Sequence, residues 1–257
     1  MAALGSAPLK PPVGLVTGGG RGIGLAIASA WARRGVSVAA VDRDPAGAER
    51  VRGACEAAGV PFTFHEADVR DAARAREVVA DAAARLGGLD YLVLNAGITR
   101  DHVVWKMEEE DWDQVLAVNL KGAFTYVRAA VPGFLERRAG RIVFVSSING
   151  LRGKFGQSNY AASKAGLIGF ARSLALELGP RGVNVNVVAP GLTRTEMAES
   201  LPPGALERAR AEAALQRVAE PEDVAAAVDF LCRGESRHLT GIVLRVDGGQ
   251  ALAAESA

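Results

Sequence analysis

The chain has 257 residues, 49% of them hydrophobic, and a formal net charge of +1 with acids and bases spread along its length. That length supports a full core and commonly one domain in α/β chains, and the hydrophobic content sets aside a disordered class. The even charge, with no basic stripe and no acidic tail, argues against nucleic acid or an anionic membrane as the main partner.

The opening MAALGSAPLKPPVG is broken by prolines and has no apolar core of the kind a signal peptide needs. No apolar run approaches the roughly 20 residues that cross a bilayer. Cys55 and Cys232 are far apart and read as reduced thiols of a cytoplasmic protein. His65, His102 and His238 are scattered without metal-ligand spacing, so no metal site is expected.

Short apolar runs alternate with helical patterns. The runs are 13–17, 36–41, 61–66, 91–95, 141–147, 183–189 and 242–246, and the helical stretches fall near 23–34, 45–58, 71–86, 109–137, 158–178 and 221–233. Strand followed by helix, repeated, requires crossover connections. The expected architecture is a doubly wound α/β fold, a seven-stranded parallel sheet with helices on both faces. The middle strands are apolar nearly throughout, as doubly buried strands are. One segment, between Pro190 and Glu220, breaks the rhythm with tandem prolines, many charges and helical propensity. By itself it reads either as a surface helix pair or as a lid over a pocket.

The first strand runs into 17-TGGGRGIG-24 and then into a helix. Glycines there let the backbone approach a phosphate closely, and the helix start supplies N–H groups and partial positive charge. The spacing Gly18-x-x-x-Gly22-x-Gly24 departs from the strict dinucleotide fingerprint and lacks the Lys-Ser/Thr of a P-loop. Asp42, at the end of the second strand, stands where an acid reads the ribose hydroxyls of NAD and repels a 2′-phosphate. Arg43 beside it and Arg21 in the turn are suited to that phosphate instead. NAD(H) is favoured, with NADP(H) the alternative.

In 157-QSNYAASKAG-166, Tyr160 and Lys164 are one helical turn apart and share a face. An ammonium near a phenol lowers its pKa and makes it a usable acid or base. Ser147, at the end of the fifth run, falls in the crevice beyond the strand C-termini, where ligands bind, and can orient a carbonyl oxygen. With only three tyrosines and five lysines in the chain, the alternative of an idle surface pair requires several coincidences at once.

From about Pro11 to Gly249 the chain resembles the single-domain short-chain dehydrogenases/reductases. The likeness rests on TGGGRGIG, Asp68 in 68-DV-69, 95-NAG-97, Asn119 in 118-VNLKG-122, Ser147, Tyr160 with Lys164, and 190-PG-191. It implies the following roles. Tyr160 is the acid/base. Lys164 holds the nicotinamide ribose, and Ser147 stabilises the substrate oxygen. Asn119 positions a water in a proton relay. Gly18, Arg21, Gly22, Ile23, Gly24, Asp42, Arg43, Asp68, Val69, Asn95, Ala96 and Gly97 line the cofactor. Pro190, Gly191, Thr193 and Thr195 approach its carboxamide, and Asn149 and Gln157 join Ser147 and Tyr160 at the substrate. Ser146 is the second serine candidate. Ser147 is preferred because it stands thirteen residues before Tyr160, the spacing common in the family.

The segments 97-GITRD-101, 112-WDQVLAVNLKG-122, 147-SINGLRGKFGQSNYAASKAG-166 and 219-AEPEDVA-225 are most similar to 3-oxoacyl-thioester reductases, on acyl-carrier-protein or CoA substrates. Polyol, sugar or ring alcohols are the alternative substrates. The resemblance makes the segment at about 192–216 a substrate lid over one 1–257 domain. It implies a homotetramer packed through 109–137 and 158–178, with IVLRVDGGQALAA near another interface. Arg138 and Arg181 fall where carrier-protein reductases present basic docking residues; the other reading is two solvated charges.

Overall fold

The computed structural model describes residues 10–199 and 203–252. The expected 1–257 domain and the segment at about 192–216 therefore include residues outside the described ones, as do most of the opening stretch and the end of IVLRVDGGQALAA. Seven strands form one parallel sheet: β1 (Val13–Thr17), β2 (Ser37–Asp42), β3 (Phe62–Glu66), β4 (Tyr91–Leu94), β5 (Gly140–Val145), β6 (Val183–Pro190) and β7 (Val243–Val246). Their spatial order is β3-β2-β1-β4-β5-β6-β7. Every strand of β1, β2 and β6 is buried or nearly so, whereas β7 at the edge is half-exposed. This is why the central runs carry almost no polar residues.

Among the described residues ten helices accompany the sheet: α1 (Gly22–Arg33), α2 (Gly47–Ala58), α3 (Ala72–Leu86), α4 (Glu109–Leu116), α5 (Gly122–Arg137), α6 (Asn149–Arg152), α7 (Ser158–Leu178), α8 (Glu196–Glu199), α9 (Ala205–Glu212) and α10 (Pro221–Cys232). On one face, Val78 of α3, Phe134 of α5 and Leu167 of α7 pack with Leu15 and Ile142 of the sheet. On the other, Trp31 of α1, Val51 of α2 and Leu231 of α10 pack with Val16 and Val143. Burying this apolar surface is the main driving force for the layered arrangement.

The chain first winds outward from β1 through β2 to β3, then returns to place β4 on the other side of β1. That reversal opens a crevice beyond the C-terminal ends of β1 and β4, the place where open α/β sheets bind ligands. The helical run expected over 109–137 is divided: a π-helical turn, Ala117–Lys121, joins α4 to α5. A Cβ on Gly122 would stand 2.7 Å from Val69 Cγ2, so the start of α5 presses directly on the segment after β3. Such single-turn π segments recur at functional sites, and this one carries Asn119.

Candidate active site

A cleft of about 810 Å³ runs along the C-terminal ends of the central strands. At one end is the glycine turn. Gly18 and Gly22 have φ of +64° and +49°, which side-chain-bearing residues rarely adopt. A Cβ on Gly24 would stand 1.9 Å from the Gly18 carbonyl oxygen, so the helix start is packed against the turn itself. Asn95 pins the same turn by donating from Nδ2 to the Thr17 and Gly18 carbonyls at 3.0 and 3.1 Å. No side chain caps the first turn of α1; Arg21, Gly22 and Ile23 line the cleft there. An uncapped helix start facing a groove fits a pyrophosphate. This is the fit expected for a dinucleotide: glycines for close approach and free N–H groups for the anion.

Asp42 is buried, and its carboxylate accepts from the backbone N–H of Gly20 at 3.0 Å and of Asp44 at 3.2 Å. It lines the cleft with Arg43, Asp68, Val69 and Arg70. Arg70 forks onto Asp68 at 2.6–3.0 Å and holds that carboxyl below its ordinary range. Arg21 pairs with Glu196 at 3.3 Å. Ala96, Gly97, Pro190, Gly191, Thr193 and Thr195 complete the wall.

At the inner end stand Ser147, Tyr160 and Lys164. Ser147 lies two residues beyond β5 rather than within it, in the turn that opens α6, and its Oγ accepts from the Asn149 N–H at 3.1 Å. Ser146, the other serine, donates to the Lys164 carbonyl at 2.8 Å and is committed to the fold. Lys164 Nζ donates to the Val145 carbonyl at 2.9 Å and lies 5.5 Å from the centre of the Tyr160 ring. Burial pushes the Tyr160 phenol up to about 12, with the Ser147 hydroxyl pulling it down and Asp101 pushing it up. Burial pushes the Lys164 ammonium down to about 8. The phenol thus lies above its ordinary value, not below it as expected from the Tyr-Lys spacing, with desolvation the largest cause.

Of the expected site residues, Gly24 and Asn119 do not line the cleft. Gly24 supports the glycine turn from behind. Asn119 is 1% exposed; its Oδ1 accepts from Ile98 N at 2.8 Å, and its Nδ2 donates to Ile98 O at 3.1 Å and Ser163 Oγ at 3.0 Å. Arg138 and Arg181 are neighbours, each two residues before the start of a strand, β5 or β6, and Arg138 donates to the Pro180 carbonyl at 3.0 Å. They sit at the N-terminal ends of the strands, the opposite end of the sheet from the cleft.

Sequence reasoning missed Thr17, whose Oγ1 accepts from the N–H groups of Asn95 and Ala96 at 3.1 and 3.2 Å and ties β1 to β4 at the crevice. It also missed Ser163, Asp101, and the contact in which Arg152 of α6 meets Glu212 of α9 at 3.1 Å. Ser163 lies one residue before Lys164 and was readable only as helix surface. Arg152 and Glu212 are 60 residues apart, so no local pattern joins them.

A family model described as enoyl-(acyl carrier protein) reductase matches residues 18–251. The chain belongs to the short-chain dehydrogenase/reductase family. It is therefore a nicotinamide-dependent oxidoreductase by family. The chain is 43% identical over 243 residues to the 3-oxoacyl-[acyl-carrier-protein] reductase FabG of Thermotoga maritima, covering 94% of this chain and 98% of that one. It is 38% identical over 241 residues to the FabG of Vibrio cholerae, with coverage of 94% and 98%. Among solved structures, levodione reductase superposes with a TM-score of 0.90 at 31% identity, covering 94% of this chain and 98% of that one. Among the described residues no helix is long and apolar enough to cross a membrane.

A dehydrogenase/reductase built on this turn should not tolerate a methyl group at Gly24. Gly24→Ala would force its Cβ, 1.9 Å from Gly18 O and 2.7 Å from Asn95 Nδ2, to displace the turn. Overpacking of this kind costs about 1–3 kcal/mol, so nicotinamide dinucleotide binding measured by fluorescence titration should weaken about 10-fold or more. The melting temperature should fall with it.

Proposed function

We propose that this short-chain dehydrogenase/reductase interconverts 3-oxoacyl and 3-hydroxyacyl thioesters, with NAD(H) as the favoured cofactor. The observation that carries the reading is identity of 43% and 38% over 94% of the chain to two 3-oxoacyl-[acyl-carrier-protein] reductases. Charge in the cleft supports it. Arg152, Lys154 and Arg208 line it, and a phosphopantetheine arm, from CoA or from a carrier protein, brings a phosphate. The segment at about 192–216 acts as the covering lid in this reading, with the Arg152–Glu212 pair as its latch to α6.

The glycine turn, Asp42, Asp68, Asn95 and the 190–195 segment would hold the dinucleotide, whose nicotinamide would supply or accept the hydride. In reduction, the Tyr160 phenol gives its proton to the substrate oxygen, and the Ser147 hydroxyl donates to the same oxygen and orients it. Lys164 holds the ribose and feeds a proton back towards Tyr160. Both hydrogens of the Asn119 amide are committed to Ile98 and Ser163. A relay water at Asn119 would therefore donate to an oxygen, either the remaining lone pair of its Oδ1 or its backbone carbonyl.

Asp42 favours NAD(H) because a buried carboxylate at this place accepts from ribose hydroxyls and repels a 2′-phosphate. A homotetramer is supported by the apolar surface exposed on α4, α5 and α7, at Trp112, Phe124 and Leu176. Docking of a carrier protein at Arg138 and Arg181 works only if assembly brings that end of the sheet near the cleft of a neighbouring subunit, so the two proposals stand together. Two free, buried cysteines fit a reducing cytoplasm.

The test is the initial rate of acetoacetyl-CoA reduction with NADH and with NADPH. Turnover that prefers NADH supports the whole reading. A preference for NADPH keeps the reaction and gives the 2′ position to Arg43 or Arg21. No turnover with either overturns the thioester reading, and ring ketones and polyols are tried next.

A further inference from the structure

Asp101 sits on the loop after β4, and Gln157 stands just before α7. Residues 102 and 157 form an isolated parallel bridge that holds the two segments together. Gln157 is 4% exposed. Its Nε2 donates to Asp101 Oδ2 at 2.6 Å, and its Oε1 accepts from Asn149 Nδ2 at 2.9 Å. A carboxylate can only accept, so the first bond fixes which way the Gln157 amide faces. That in turn fixes Asn149, which must present its NH₂ to Gln157. With its side chain anchored, Asn149 aims its backbone N–H at Ser147 Oγ, 3.1 Å away. The Ser147 oxygen then accepts on that side and its own proton is left for the phenol or the substrate oxygen.

We propose that Asp101, acting through Gln157 and Asn149, is a positioning residue that sets the direction of the Ser147 hydroxyl beside Tyr160. The proposal rests on Tyr160 being the acid/base. Two separate effects meet at one carboxylate. The hydrogen-bonded chain orders the hydroxyl, and the negative charge opposes ionisation of the phenol. Of the other charges around the phenol, Lys164 projects from α7 itself and donates to the Val145 carbonyl; the rest are on other elements. Arg100 and His102 lie 3.9 and 3.6 Å from Asp111. Arg152 pairs with Glu212, and Lys154 and Arg208 line the cleft.

Asp101→Asn keeps the shape, removes the charge and releases the order of the amides. The expected result is a fall in kcat of about 10-fold, the scale of a small misplacement at a reacting centre, with the KM for the dinucleotide unchanged. Removing a negative charge also favours the phenolate. The alkaline fall of ketone reduction should then move to lower pH, and the alkaline rise of alcohol oxidation should move the same way. Gln157→Ala cuts the chain but keeps the carboxylate, so kcat should fall while the limb stays near its wild-type position. Both are repeated in a His102→Gln background, so that the adjacent imidazole cannot supply the shift. A second readout needs no substrate. The tyrosinate difference absorbance, with Tyr160→Phe subtracting Tyr91 and Tyr126, should appear at lower pH in Asp101→Asn. In Asp101→Asn, a lower kcat with an unmoved limb is what a merely structural role gives and overturns the proposal, as does an unchanged kcat. If wild type reduces none of the ketones tried, the functional reading has failed, and the tyrosinate comparison still decides this one.

Discussion

Tyr160→Phe should cut turnover by about 10²–10⁴-fold, the usual contribution of a positioned proton donor, while folding and dinucleotide binding stay near wild type. Phenylalanine keeps the ring, which is half-buried against the cleft, and deletes only the hydroxyl beside Ser147. Burial holds the phenol at about 12 and the Lys164 amine at about 8, so at neutral pH the pair carries both its protons. That is the state that suits reduction: the acid is loaded, and a cation stands one turn behind it to replace the proton. The sign of the pH dependence follows. Lys164 is depressed, so its ammonium is present below about 8 and is lost as the pH rises through that value. Reduction should be level below about 8 and decline above it, whereas oxidation, which needs the phenolate, should climb with pH. These are values of an interacting pair, and the measured limbs belong to the pair. Steady-state rates in both directions across pH, with Tyr160→Phe as the baseline, check this. A variant retaining full turnover removes Tyr160 from the chemistry.

Much of this was readable because it is local. The seven apolar runs became seven strands with edges moved by one or two residues, and α7 spans the 158–178 predicted from spacing. Tyr160 and Lys164 share a helix face, so a four-residue spacing was enough to pair them. What the sequence did not carry was set by distance along the chain or by burial. Asp101 meets Gln157 across 56 residues, and no periodicity links a loop aspartate to a glutamine before a helix. The π turn around Asn119 runs into Gly122, which packs against Val69, a tertiary contact that no local pattern announces. The proximity of a lysine predicted a lowered phenol, but the spacing held no information about desolvation, which is the largest cause of the shift. The basic pair Arg138 and Arg181 was legible as charge, but not as belonging to the end of the sheet opposite the cleft.

Asp42→Asn should shift the ratio of NADH to NADPH efficiency by about 100-fold towards NADPH. The estimate follows from losing charge-assisted hydrogen bonds, each worth about 1.5–3 kcal/mol, when every 1.4 kcal/mol is tenfold. Removal of a like charge from the place of a 2′-phosphate adds to this. Asparagine is chosen because Asp42 also holds the turn: an amide oxygen can still accept from the N–H of Gly20, which the carboxylate meets at 3.0 Å. Asp42→Ala leaves that buried N–H unpartnered, at a cost of about 1–3 kcal/mol, so it should lose thermal stability as well as specificity. The two variants thus separate ribose reading from support of the glycine turn. Arg43 stands beside Asp42 on the cleft wall, ready to pair with the phosphate once the carboxylate charge is gone. Adding Arg43→Ala should take back most of the gain with NADPH and leave the NADH rate of Asp42→Asn unchanged. If Asp42→Asn instead lowers both cofactors' kcat/KM equally, the carboxylate serves the turn alone, and the choice of cofactor lies with the arginines.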